Sequence, residues 1–517
     1  MAPALEASAW AVDRCRLSKR GRWLLQAALL WIGLSGSGCS RRLVEHRVLE
    51  MQVPTEIVEL DPRFATRGLD VKASRLIHGG LVALDPDTLL PHPSLARSLS
   101  LADGRTIAIE LEPNVFFHSG HVLEASDVCA TLDALRAPRL QSPHRSVVAA
   151  FSTCRVRDPQ HAELTLAYPR ATWMTDLEIP ILRADQANLP RGHAEELDGL
   201  GPYVIAGRTA NALLLRKAAK PGEPLVGASV VIRTVRDENA RVLRLLAGQA
   251  DIAVNAVSPA LLPELARSGR LSFSSRPGAN VTYLLVHNDR PPFADANVRR
   301  ALSLAIDRQA IVEHLLNRHA ESARWIFPKT HWASPSDLAP LRYDRDAARR
   351  VLNEKGPVTL LTSPDRSRLI LARVIAQMLG DAGLQTQVIP LDLGVMLSRL
   401  DAGNFTMAIL QLPELTEPNM LSWFFHPRGI PGEGQDGRNR ARYRSVRAGE
   451  LLDSAAASFD LEVRKRLYGE LAHLMMDDMP VIPLWHEDQM SVAATRVVGF
   501  RPTAAGHWDS LVNTELR

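Results

Sequence analysis

At 517 residues and a formal net charge of +4, the chain is too long for one hydrophobic core, since single cores seldom grow beyond about 250–300 residues. No Lys/Arg face with interleaved aromatics stands out, which excludes an obvious nucleic-acid surface. No Cys-x-x-Cys pair or Cys/His cluster has zinc spacing, so neither a metal nor another cofactor is expected.

Arg14, Arg16, Lys19, Arg20 and Arg22 precede an apolar run, Trp23 to Leu34, and small residues then lead to Cys39. This three-part pattern predicts a secretory signal over residues 1–38. Gly36-Ser37-Gly38-Cys39 resembles the lipobox of bacterial lipoproteins, although Gly36 stands where Ala or a larger aliphatic residue is commoner. Cys39 is therefore the expected lipidation site, with residues 39–46 as a tether. Cleavage removes five basic and two acidic residues, leaving a net charge of about +1, so the basic balance says little about partners. After that segment no stretch is long and uncharged enough to span a bilayer. Cys129 and Cys154 would then lie in an oxidising compartment. The inward helical position of Cys129 points to two separate buried thiols, with a disulfide between them as the alternative.

The first strand is predicted at Val48 to Val53, followed by a turn at Asp61-Pro62 and a loop through Ala65 and Thr66. Asp103-Gly104 reads as a turn, Thr106 to Leu111 as an alternating strand, and Val128, Leu132 and Leu135 as the inner face of a helix. His118 and His121 lack the further acid or cysteine that a metal site needs. Gly199-Leu200-Gly201-Pro202-Tyr203 leads tightly into a strand and lacks the Lys-Ser/Thr of a phosphate loop. Asn239 to Val254 and Val395 to Leu410 each run helix, Ala-Gly, strand, so two α/β units are expected.

Ala279 to Leu316 organises the rest. Val281 to Val286 reads as a buried strand, His287 to Pro292 supplies breakers, and Asp295 caps a helix with Val298, Leu302, Ala305 and Ile306 on one face. Further on, Val358 to Thr362 and Val388 to Leu391 are predicted strands. Leu369 to Leu379 is a helix burying Ile370, Val374, Ile375 and Met378. Met475, Met476 and Met479 fill core at helical spacing. Val481 to Trp485 should carry the chain back to the first lobe.

The order of these stretches resembles the extracytoplasmic solute-binding proteins of peptide-type ABC importers. The resemblance rests on the strand before Pro291-Pro292-Phe293, on "VRRALSLAIDR", on Val115, Phe117, His118, Gly120 and Asp127-Val128, on Gly201-Pro202-Tyr203, and on "PVIPLW" from Pro480. It implies a two-lobed α/β fold of the periplasmic-binding-protein type with a ligand cleft between lobes. Lobe I would span 47–282 with a subdomain inserted at about 76–195, lobe II 283–484, and the return to lobe I 485–517.

The resemblance also implies a site. Glu414 stands four residues before Pro418, where peptide-binding relatives carry the acid that pairs with the ligand's α-ammonium. A desolvated ammonium needs such a partner. Gln411, Asn419, Trp423, Thr66 and Trp485 are the other expected cleft residues, and Gln411 departs from the tryptophan common in relatives. No catalytic residues are expected: Gly-x-Ser-x-Gly and His-Glu-x-x-His are both missing. The expected function is capture of a peptide-like solute by lobe closure and delivery to an ABC permease. The protein would be exported, a monomer, and lipid-anchored through Cys39 in the periplasm or at the cell surface. A signalling receptor and an exported hydrolase are the alternatives.

Overall fold

The computed structural model describes residues 48–219, 229–433 and 437–517. The expected signal, tether and lipidation site at Cys39 lie outside the described residues. Among those described, no helix is long and apolar enough to cross a membrane.

Two large sheets dominate. The first has seven strands in the order Leu271–Arg276, Gln489–Ala494, Ile252–Val254, Val48–Val53, Ser229–Thr234, Ala212–Lys217, Tyr203–Thr209. Val48–Val53 is its centre and pairs in parallel with both neighbours, which requires crossover connections rather than hairpins. The helix Glu238–Leu246 is one such crossover; Asp237 caps it by accepting from the Ala240 N–H at 2.7 Å.

The second sheet has six strands in the order Ala320–Ser322, Val481–Glu487, Val281–Val286, Met407–Leu412, Val358–Thr362, Thr386–Pro390. Val281–Val286 is buried along its whole length because the sheet is covered on both faces. Tyr283 and Leu285 point into one core with Phe327, Met396 and Leu452. Leu284 and Val286 point into the other with Leu302, Ile375 and Leu379. A continuous apolar run, rather than an alternating one, is what such a strand needs.

A third, four-stranded antiparallel sheet, in the order Ala96–Ala102, Thr106–Leu111, His161–Leu166, Phe151–Asp158, packs on the helix Ala125–Arg136. Here the reading of two separate thiols is corrected. The Cys129–Cys154 disulfide ties that helix to the edge strand across a Cα separation of 5.2 Å. The inward face that suggested a buried thiol is the face that meets the strand carrying Cys154.

Other expectations are also revised. The helix Arg366–Asp381 buries Leu371, Ala372, Ile375 and Leu379, while Ile370 is exposed. Ile370 shares a helical face with Arg366, Arg373, Gln377 and Asp381, so the spacing turns it outward and the expectation misplaced it. The chain passes from the first sheet to the second between Arg276 and Val281, and returns between Glu487 and Gln489. The boundaries expected at 282/283 and 484/485 therefore fall inside strands of the second sheet, and Val481–Glu487 belongs wholly to it. A bulge between the pairs Thr282–Trp485 and Tyr283–Pro483 shifts its register.

The two crossings are clamped together. Asn280 donates through Nδ2 to the Glu487 carbonyl at 2.6 Å, and its Oδ1 accepts from the Glu487 N–H at 2.8 Å. Gly278 lies against this clamp: a Cβ there would collide with Asn280 Nδ2 and the Glu487 carbonyl oxygen.

Candidate solute-binding cleft

Glu414 follows the strand Met407–Leu412, at its carboxyl end, where open α/β sheets present their binding residues. Its carboxylate meets side chains from the other sheet's side of the molecule. Arg75, on the helix Gly68–Ile77, donates from Nη1 to Glu414 Oε1 at 3.1 Å. His507, in the C-terminal segment, brings Nε2 within 2.7 Å of the same oxygen. The same Nε2 lies 2.7 Å from Arg75 Nη1, so the imidazole, the guanidinium and the carboxylate meet at one point. Arg75 in turn bridges to Glu178 through Nη2 at 2.9 Å.

These groups are neither sealed in the interior nor loose on the surface: the Glu414 and Arg75 side chains are each 22% exposed. Burial works to raise the Glu414 carboxyl, but Arg75, His507 and Lys72 outweigh it and hold it well below the usual carboxylate range. Burial likewise works against the Arg75 guanidinium, and Glu178 and Glu414 more than offset that. Glu414 and Arg75 therefore stay ionised.

A second charged group lies where the chain crosses between the sheets. Arg368, near the start of the helix Arg366–Asp381, pairs with Glu487 (Nη2 to Oε2, 3.1 Å) and donates to Gln411 Oε1 at 3.0 Å. Thr282 Oγ1 and Trp485 Nε1 also donate to Glu487 Oε1, at 3.0 and 3.1 Å. Desolvation opposes the charge on Glu487, yet Arg368 and these donors leave its carboxyl below its ordinary value.

The residues singled out from sequence are thus distributed unevenly. Glu414 sits at the first cluster and Gln411 at the second. Trp485 is fully buried in the second-sheet core, and only its N–H reaches the second cluster. Asn419 lies on the short helix Pro418–Met420, where its N–H donates to Glu417 at 3.2 Å and its Oδ1 is buried without a partner among the described residues. Trp423 is 53% exposed, and Thr66 is exposed on the loop entering the Gly68–Ile77 helix. His118 sets Nε2 at 2.8 Å from the Gly201 carbonyl oxygen.

Lys72, Arg75, Glu178, Arg368, Glu487 and His507 were not read as site residues. Three left signals: Lys72 and Arg75 are cations three residues apart, one helical turn, and Glu487 is a charge ending a largely apolar strand. Nothing local marks His507, whose partner is 93 residues away.

This arrangement, two sheets joined by clamped crossings with ionised groups of one meeting those of the other, defines a two-lobed binding protein. The chain belongs to the bacterial extracellular solute-binding proteins, family 5, whose model matches residues 91–432. It is 24% identical over 526 residues to di/tripeptide-binding protein 2 of Pseudomonas aeruginosa (strain UCBPP-PA14), covering 93% of this chain and 97% of the relative. It is also 24% identical over 500 residues to a glutathione-binding protein of Salmonella typhi, covering 93% and 96%. The fold matches the oligopeptide-binding protein AppA of Bacillus subtilis in complex with a nonapeptide, with a TM-score of 0.77 at 18% identity over 91% of this chain and 99% of that one. It also matches NikZ of Campylobacter jejuni in complex with nickel and L-histidine, with a TM-score of 0.79 at 20% identity over 90% and 99%.

Proposed function

We propose that the protein is the extracytoplasmic receptor of an ABC importer, capturing a short peptide or peptide-like solute between its lobes and handing it to the permease. The observation that carries this is Glu414. An ionised carboxylate stands at the carboxyl end of a second-sheet strand, in contact with the Gly68–Ile77 helix and the C-terminal segment, and both its contacts use Oε1. Oε2 is left to accept from a ligand ammonium. An ammonium withdrawn from water needs such an acceptor. The peptide-binding relatives support the same solute class.

Binding is reversible and involves no turnover. The lobes swing about Pro277–Asn280 and Asp488, and a ligand touching both lobes favours the closed form by its differential affinity. Glu414, Gln411 and Arg368 line the cleft, with Trp485 holding Glu487 from behind. We assign residues 1–38 to an export signal and Cys39 to a lipid anchor, and read the receptor as a monomer.

Thermal unfolding with a panel of dipeptides, tripeptides, opines, nickel chelates and sugars tests the proposal. A true ligand at about 100 times its Kd adds about 2.7 kcal/mol of stability and is recovered unchanged. Stabilisation by none of the panel, or conversion of the ligand, contradicts it.

A further inference from the structure

The second crossing between the sheets is a single residue, Asp488, and both sheets hold it. Its N–H donates at 3.0 Å to the carbonyl of His319, which leads into the second-sheet strand Ala320–Ser322. Its Oδ2 accepts at 2.5 Å from the hydroxyl of Ser275, on the first-sheet strand Leu271–Arg276. A hydroxyl has one proton to donate, and here Asp488 receives it. The other contact of that hydroxyl, with His319 Nδ1 at 3.0 Å, is therefore one in which the imidazole N–H donates. The same Nδ1 lies 3.7 Å from Asp488 Oδ2. No hydrogen bond among the described residues reaches His319 Nε2, and the side chain is 17% exposed, so this nitrogen can take a proton from solvent.

The segment carrying His319 lies against the first lobe. Asn317 and Arg318 both hold left-handed backbone, with φ of +49° and +63°, a conformation that costs energy in most residues. Asn317 Nδ2 donates across to the Pro259 carbonyl at 3.4 Å, and the His319 ring packs perpendicular to that of Phe273, their centroids 6.1 Å apart. Asp488 is the one acid paired with the imidazole among the described residues. Arg276, Glu321 and Glu487, on the strands around it, are paired elsewhere, with Asp87, Lys329 and Arg368. On the helix Arg308–His314, which packs on Ala320–Ser322, Glu313 accepts from Gln309 and His314 is the last residue. Arg318, next in the chain, is the cation that opposes a charge on His319.

We propose that His319, Ser275 and Asp488 form a proton-operated clasp at the hinge. A proton on His319 adds an ion pair to the hydrogen-bonded chain, draws the second lobe onto the first-lobe strand, and favours the arrangement in which the lobes meet. Histidine is the side chain suited to this, changing charge between about pH 5 and 8. The clasp rests on the two-lobed receptor reading above and adds that pH, as well as solute, sets how readily the lobes part.

A bond far along the chain from the clasp reports the opening. The Ala171 N–H, just before the helix Trp173–Asp176 of the first lobe, donates at 2.8 Å to the carbonyl of Ala456 on the second-lobe helix Val446–Ala457. Hydrogen exchange at this amide, corrected for its intrinsic rate, is measured by mass spectrometry on the free full-length receptor. Protection should be roughly two- to fivefold greater at about pH 5.5 than at about pH 7.5, the range of a partly exposed ion pair. His507 also meets a carboxylate between the lobes, so the variants decide the assignment: His319→Gln and the isosteric Asp488→Asn should each abolish the increase. Protection that is equal at the two pH values, that falls in acid, or that still rises in His319→Gln overturns the clasp and leaves the receptor reading standing. That reading fails instead if no solute of the panel binds.

Discussion

Glu414 illustrates how a single side chain can serve two tasks. Its Oε1 is held by Arg75 and His507, which fixes the carboxylate and keeps it charged, and on the proposed function its Oε2 accepts from the solute. Because its pKa is lower in the folded protein than its ordinary value of 4.5, the stability it contributes is complete above that value and is lost as pH falls through the folded one. Glu414→Gln should therefore destabilise the protein by about 1–3 kcal/mol at neutral pH, less than the full cost of breaking a sealed pair because the carboxylate touches solvent. The difference between variant and wild type should hold above pH 4.5 and shrink progressively as pH falls below it. Chemical denaturation of both proteins from pH 7 to pH 3 measures this; a difference that is absent at pH 7, or that grows in acid, refutes the assignment. The motif around Pro418 pointed to this residue, but its partners Arg75 and His507 are 339 and 93 residues away in the chain. No local pattern encodes such a meeting, so the carboxylate was legible in the sequence and its counter-ions were not.

Among the elements, those with a single physical demand read most clearly. Val281–Val286 is buried on both faces and carries no polar side chain except Thr282 and the Tyr283 hydroxyl, so its run of apolar residues announces it. Asp295 announces its helix by accepting from the Asn297 N–H of the first turn. The helix Arg366–Asp381 was visible as a helix, but its inner stripe was misplaced by one residue, since Ile370 lies on the outer face with Arg366, Arg373, Gln377 and Asp381, and Leu371 lies on the inner one. The Cys129–Cys154 link was equally hidden: sequence shows two cysteines, and only the docking of helix on strand brings their Cα atoms to 5.2 Å. The crossings between sheets depend on close approach, for which Gly278 is needed. Gly278→Ala should cost about 1–3 kcal/mol, because the new methyl meets backbone oxygen and a clamped amide that cannot both yield. It should also alter the rate of lobe motion. A melting temperature and ligand association rate equal to those of the wild type would show that the clamp at Asn280 tolerates the added atom.

For the molecule as a whole, length indicated more than one core and the α/β units recur on either side of Val281–Val286, but it was the resemblance to solute-binding proteins that implied two lobes. What the sequence could not convey is that the sheets are joined by two short crossings held together by Asn280. The contacts between lobes include the ion pair of Arg75 with Glu414, which touches solvent, and the packing of Leu89 and Ala505 against the second-sheet core. The ion pair can open at modest cost, whereas the cores behind it cannot. The central claim is that a solute draws the lobes together around Glu414, and small-angle X-ray scattering of the receptor tests it most directly. With a saturating ligand from the peptide panel, the radius of gyration should fall relative to the free protein, and the scattering should match the arrangement in which Glu414 meets Arg75 and His507. Unchanged scattering in the presence of a ligand whose binding calorimetry has established would contradict it.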